Sequence, residues 1–273
     1  MATESVVGQK LDGSGGAVDL MEIARSSVWR IETLLGDKTV GHGSAFAYKQ
    51  VIDSKAGTSK VFLLTNLHNF SGALKNYNFL VELARRGAPI EALTMRSVLS
   101  AGGERYDFDR IVAAKDALFA HNRPYFKDFA VLGVTIPTIE KLRMFVLPEK
   151  SDAQAGDSIY ALGYPRDTDL GITEGITSHV YGDDVSNDTY RWQIQHSVLI
   201  NEGNSGGPTV NRFGVAVGIS TWGYLNESGM NFSVNVAHVQ SMLSDPSEVE
   251  EVNLNAVFHK LAMRASEEAR YGG

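Results

Sequence analysis

A chain of 273 residues, 43% hydrophobic and 21% charged, carries enough apolar material for one large packed domain or two small ones, which excludes disorder as its general state. Its 25 Lys and Arg against 32 Asp and Glu leave a formal charge of −7, without the basic footprint of a general nucleic-acid binder. The absence of cysteine excludes disulfides, a thiol nucleophile and thiolate metal sites.

Residues 1–19 are polar and Gly/Ser-rich (Gly13, Ser14, Gly15, Gly16) and read as a flexible leader. A short helix is expected over 19–27, with Asp19 as its N-cap. Short segments rich in Val, Ile, Phe and Tyr follow, punctuated by Gly, Asn and Asp. They predict strands at 28–34, 43–49, 61–65, 129–134, 158–163, 191–197, 209–210, 215–220 and 231–236. Helical spacing interrupts them at 78–86, where Phe79, Leu80, Leu83 and Ala84 fall on one face, although so short a segment also suits a strand. Two further helices are expected at 236–243 and 254–269. A boundary between halves fits 136–152, where Pro137, Pro148, Lys150 and Asp152 cluster. Many short strands with turn signals argue an all-β sandwich or barrel. No apolar run approaches the roughly 18 residues of a membrane helix. The N-terminus lacks a basic stretch followed by an apolar core, so no signal peptide is visible, and a cytoplasmic location is expected over a periplasmic or secreted one.

The segment Glu202-Gly203-Asn204-Ser205-Gly206-Gly207-Pro208 carries the strongest chemical signal. A serine hydroxyl attacks only when a base removes its proton, and the resulting tetrahedral intermediate needs donors aimed at its oxyanion. Glycines let the backbone curl so that N–H groups point inward. The oxyanion hole is therefore expected at Gly203, Asn204 and Ser205, with the N–H groups of Gly203 and Ser205 as donors. The bland alternative is a Gly-rich turn between strands. Gly203-Asn204-Ser205-Gly206-Gly207 also satisfies the Gly-x-Ser-x-Gly elbow of α/β-hydrolases, with Asp245 and His259 downstream, but an elbow serine opens a helix and Pro208-Thr209-Val210 reads as strand. No His-Glu-x-x-His or other ligand spacing is present, so neither metal nor other cofactor is expected.

The run Asn201–Pro208 resembles the nucleophile segment of the trypsin/chymotrypsin superfamily, and more closely that of its HtrA/Deg-like branch, Asn-Pro-Gly-Asn-Ser-Gly-Gly-Pro, differing only at Glu202. Leu64-Thr65-Asn66-Leu67-His68 resembles the Leu-Thr-Asn-x-His element of that branch, and Asp128-Phe129-Ala130-Val131-Leu132 its Asp-x-Ala-Val-Leu pattern; Asp107 and Asp109 are rival acids. Similar runs occur at Gly41–Phe46, Gly156–Pro165, Ile172–Ile176 and Asn231–Val234, so the resemblance covers roughly 20–243.

The resemblance implies an all-β fold, a chymotrypsin-like double six-stranded β-barrel with short N- and C-terminal helices. A helix and the first barrel, with His68 and Asp128, would span 20–135. The second barrel, with Ser205, would span 136–243, and a helical tail 244–273. The His68-to-Asp128 gap is long for the family and implies an insertion over 71–109. HtrA-like proteins often carry a C-terminal PDZ domain, for which the residues after Leu243 are too few.

The implied activity is that of a serine endopeptidase working through an acyl-enzyme, with Ser205 as nucleophile, His68 as base and Asp128 as orienter. Leu199, Ile200 and Asn201 before the serine, with Ser220, Thr221 and Trp222 after it, would form the substrate pocket. No acid stands at Leu199, so a small or apolar P1 residue is expected, unless Asp183, Asp184 or Glu202 reaches the pocket. Trp222 serves equally as core packing. The implied partner is a protein or peptide substrate, with no nucleic acid and no membrane span. Activator and homo-oligomer stay open, and a latent zymogen or a pseudoprotease acting as a binding module is the alternative reading.

Overall fold

In the computed structural model, residues 3–36, 38–70, 77–90, 95–101, 103–118, 124–165, 168–224 and 230–271 are described. The N-terminal part contains β1 (Thr3–Val7), α1 (Ala17–Ser27), β2 (Val28–Leu35), β3 (Lys38–Asp53), β4 (Thr58–Thr65), α2 (Tyr77–Arg85), β5 (Met95–Ala101), β6 (Glu104–Phe108), β7 (Arg110–Ala114) and β8 (Ala130–Ile136). The C-terminal part contains β9 (Ser158–Gly163), β10 (Gly171–Val180), β11 (Gln193–His196), β12 (Pro208–Asn211), β13 (Ala216–Gly223), β14 (Asn231–Asn235), α3 (Val236–Ser244), β15 (Val249–Asn253) and α4 (Leu254–Tyr271).

Alternation of side chains builds the strands. In β4, Val61 and Leu63 are fully buried while Lys60 is exposed; at its end Leu64 and Thr65 are both buried, because this end enters the junction between the two β units. Strands β10-β11-β14-β13-β12-β9 close a six-stranded antiparallel barrel. The other unit is a sheet of nine strands ordered β15-β7-β8-β4-β3-β2-β5-β6, with β1 added beside β3. The all-β, two-unit architecture expected from the sequence is present, with more strands in the first unit than the six expected.

The extra strands correct two expectations and give structure to part of a third segment. Thr3–Val7 pair with Lys49–Asp53, so this part of 1–19 is not a flexible leader. Within 71–109, β5 and β6 form a hairpin that pairs through β5 with Arg30–Leu35, so that stretch belongs to the sheet. Val249–Asn253, within the expected helical tail, pairs with Arg110–Ala114. Each of these segments pairs with a strand distant in sequence, a cause that local sequence does not display.

Helix α1 starts at Ala17 with Gly16 as its N-cap in the left-handed region (φ 54°), which places Asp19 inside the first turn, where its charge suits the helix N-terminus. Helix α4 starts at the expected residue and ends at Tyr271, close to the expected end at 269. It buries Leu254, Phe258, Ala262 and Ala265 and packs against α2, which buries Leu80 and Val81. Tyr77 of α2 donates to Glu268 Oε2 of α4 at 2.9 Å. Among the described residues, no helix is long and apolar enough to cross a membrane.

The larger core cluster includes Phe46, Leu63, Leu64, Phe70, Phe129 and Leu132, and a smaller one inside the barrel includes Ile159, Ile194, Val198 and Val217. The two units are stitched together by main-chain bonds, Leu11 N–H to the Phe213 carbonyl at 2.9 Å and Ser44 N–H to the Ser205 carbonyl at 2.8 Å. The second of these lies beside Asn69, whose side chain also reaches the Ser205 carbonyl at 3.0 Å.

Candidate active site

His68 sits just beyond β4, in a turn held by Phe70 N–H to the Leu67 carbonyl (3.1 Å) and anchored by fully buried Leu67. Asp128 ends a 3₁₀ turn over Tyr125–Lys127, its N–H bonded to the Tyr125 carbonyl at 2.9 Å, and β8 begins two residues later. The structure brings the two together. Asp128 is 2% exposed, and both its carboxylate oxygens serve His68: Oδ1 accepts the main-chain N–H at 2.9 Å and Oδ2 meets ring Nδ1 at 2.7 Å. A short charge-assisted bond of this kind fixes the tautomer with the proton on Nδ1, leaving the Nε2 lone pair free to accept a proton. The ring itself is 35% exposed, open to a substrate. Behind the pair, buried Asn66 donates from Nδ2 to the Asp128 carbonyl at 2.8 Å and to Thr221 Oγ1 at 3.1 Å.

Ser205 lies in a turn whose glycines Gly203 and Gly206 take φ values of 95° and 88°. The N–H groups of Asn204, Gly206 and Gly207 donate to the carbonyls of Asn201, Ser220 and Asn204, each at 2.9 Å. Those of Gly203 and Ser205 donate to no acceptor among the described residues, which leaves this alternate pair available to a ligand oxygen. Ser205 Oγ donates to the Thr221 carbonyl at 3.5 Å, a length at which a hydrogen bond is weak.

Gly206 is required for space as well as for φ. A Cβ there would overlap the Ser44 carbonyl and the Thr65 hydroxyl and stand 2.8 Å from Asn69 Nδ2. Gly206→Ala is expected to destabilise the fold by roughly 2–5 kcal/mol and to displace the Ser205 turn, because strain and overpacking add at one position. A denaturant titration reads this as a lowered midpoint at unchanged slope; an unshifted midpoint counts against the tight fit of the turn.

The other expected site residues scatter. Leu199 is 60% exposed, and its carbonyl accepts Thr173 Oγ1 at 2.8 Å; Asn201 is exposed and Ile200 half-buried. Ser220 is buried in the barrel interior, with Oγ 3.0 Å from Thr209 Oγ1. Thr221 faces Ser205 with its carbonyl. Trp222 is covered on both ring faces, by Phe232 (centroids 4.1 Å apart, planes 7° apart) and by Tyr125 (4.6 Å, 16°), so it packs rather than offering a free face. Tyr125 went unnoticed in the sequence; its signal was its place three residues before Asp128.

The competing assignments separate from this cluster. Asp109 accepts Asn253 Nδ2 at 3.1 Å and Leu254 N–H at 2.7 Å, beside α4. Asp245 caps a turn through Ser247 at 2.9 and 2.7 Å. Ser205 leads into strand β12, not a helix, which excludes the α/β-hydrolase elbow. Burial lowers the pKa of both His196 and His238 to about 4, so both stay neutral inside the protein near neutral pH. No cluster of side chains suited to a metal ion occurs among the described residues.

A family model described as "Trypsin-like peptidase domain" matches residues 43–219, more than half of the chain. A relative from Hahella chejuensis, "Probable periplasmic serine endoprotease DegP-like", is 28% identical over 193 residues, covering 63% of this chain and 40% of the relative. A relative of the same name from Pseudomonas putida (strain F1) is 36% identical over 97 residues, covering 36% of this chain and 19% of the relative. The chain thus spans less than half the length of these curated relatives. The solved structure "Crystal structure of Deg5" superposes with a TM-score of 0.54 at 22% identity, covering 85% of this chain and 93% of that one, which shows a shared fold. The names of the bacterial relatives overturn the expectation of a cytoplasmic over a periplasmic location.

Proposed function

The chain belongs to the trypsin-like peptidase domain family, and on that premise we propose that it hydrolyses peptide bonds in protein substrates as a serine endopeptidase. The observation that carries the proposal is the buried Asp128 carboxylate gripping both the main chain and the ring of His68, beside a glycine-bounded serine turn with two unspent N–H donors. Ser205 Oγ turns from the Thr221 carbonyl toward His68 Nε2, gives up its proton and attacks the scissile carbonyl. The N–H groups of Gly203 and Ser205 receive the oxyanion, and Asp128 stabilises the imidazolium. His68 then protonates the leaving amine, and water, deprotonated in turn by His68, releases the acyl group from Ser205. The 3.5 Å bond to the Thr221 carbonyl is weak, so little is lost when Oγ turns away from it.

The substrate backbone has a docking edge. Strand β12 pairs with β13 only as far as Ile219, so the same edge of Thr221–Gly223 is open to an extended peptide, which would add as a further strand. The P1 preference proposed is for a small or apolar residue, because no acid stands at Leu199 to counter a basic side chain.

A second reading, a latent enzyme that holds peptides without cutting them, draws on the 3.5 Å serine bond, exposed Leu199 and the doubly covered Trp222. Incubation with an unfolded protein, followed by mass spectrometry of the new termini, separates the readings. Fragments ending in uncharged residues, absent with Ser205→Ala, are expected. Binding without cleavage by a protein whose Ser205 accepts no acylating probe selects the latent reading.

A further inference from the structure

Asn69 follows His68 directly, yet its side chain serves the serine. Its Nδ2 donates to the Ser205 carbonyl at 3.0 Å and to Thr65 Oγ1 at 3.0 Å. The same Ser205 carbonyl receives Ser44 N–H at 2.8 Å, Thr65 Oγ1 donates to the Ser44 carbonyl at 2.6 Å, and Ser44 Oγ donates to the Gly203 carbonyl at 2.8 Å. The carbonyls of Gly203 and Ser205 are therefore both pinned by a polar block of Ser44, Thr65 and Asn69. Pinning those carbonyls fixes the rotation of the peptides that flank the two unspent N–H groups. The block is closely fitted: a Cβ on Gly43 would stand 2.5 Å from Asn69 Nδ2, and Asn69 is only 7% exposed. Its own carbonyl is held by Thr33 Oγ1 at 3.2 Å, so the residue is anchored at both ends.

We propose that Asn69 is a positioning residue that sets the serine turn relative to His68. It is adjacent to the base along the chain and hydrogen bonded to the nucleophile across the junction of the two β units, so one side chain couples their placement. The proposal rests on the serine-peptidase reading and adds to it a residue that touches neither the substrate nor the reacting atoms.

The test compares Asn69→Leu and Asn69→Asp with the parent chain. Both variants are close to Asn in size and lack the amide donor, and an aspartate would set a carboxylate oxygen against the Ser205 carbonyl. Loss of a geometric constraint on reacting groups should lower kcat on a peptide substrate by about 10- to 100-fold, with KM within about twofold. Labelling by a fluorophosphonate should slow by a similar factor yet reach full stoichiometry, and the shape of the pH profile should be retained, because Asp128 still holds His68. An unchanged kcat, or a loss matched by a fall in titratable sites, would overturn the proposal. Should both variants fail to fold, Thr65→Val decides, since it removes the group that orients Asn69: a reduced kcat at constant KM supports coupling, and parental kcat refutes it. If the parent chain itself takes no probe, the serine-peptidase reading fails and the proposal with it; if the parent is labelled and Asn69→Leu is labelled equally fast, only the proposal fails.

Discussion

Ser205→Ala is expected to lower kcat by about 10⁶-fold, the scale on which loss of the attacking oxygen removes covalent catalysis in enzymes of this mechanism. The fold should survive, because among the described residues the hydroxyl makes only the long 3.5 Å bond to the Thr221 carbonyl, while the turn is held through the Ser205 carbonyl by Ser44 and Asn69. A stability change within about 0.5 kcal/mol is expected, as for substitutions that disturb no packing. Substrate should still bind, since the edge of Thr221–Gly223 and the N–H groups of Gly203 and Ser205 are untouched. The measurement is cleavage at saturating substrate beside a denaturant titration. Parental activity in the variant would place the chemistry elsewhere, and unfolding would show that Ser205 is structural.

Asp128→Asn is expected to lower kcat by roughly 10⁴-fold through a tautomer change. The two oxygens of Asp128 have different partners. Oδ1 accepts the His68 main-chain N–H at 2.9 Å, a role the amide oxygen of Asn can keep. The amide nitrogen then faces ring Nδ1 at the position where Oδ2 stands at 2.7 Å, and it can only donate. Nδ1 must accept, so the proton moves to Nε2, and His68 can no longer take the proton of Ser205. The backbone geometry that would hide this change in a crystal structure is also what enforces it. Substrate KM should change little, and NMR of the imidazole nitrogens should report the altered tautomer. A variant with near-parental kcat would show that Asp128 packs His68 without directing its chemistry.

The proposed chemistry-bearing positions were legible because short runs encode them: an apolar strand leading into Thr65-Asn66-Leu67-His68, an acid before Ala130-Val131-Leu132, and a serine among glycines. The structure places the first two in contact and the third at the same junction. Segments whose structure depends on a distant partner were not legible. Val249-Glu250-Glu251-Val252-Asn253 is mostly polar and becomes a strand only by lying beside β7, and Thr3–Val7 only beside β3. The exposure of Leu199 was not legible either, since nothing local to it reveals that its side chain faces solvent. Asn69 was silent because an asparagine after a strand reads as turn chemistry, and its contact with Ser205 spans the whole junction. The stacking of Tyr125 on Trp222 was not legible, because it joins residues from different β units.

The most direct test is intact-protein and peptide mass spectrometry after exposure to a fluorophosphonate, on the parent chain, Ser205→Ala and His68→Ala. One adduct on Ser205 of the parent, none on Ser205→Ala and much slower labelling of His68→Ala is the predicted outcome. A folded parent that takes no adduct, or an adduct that persists in Ser205→Ala, would contradict the assignment of Ser205 as the nucleophile.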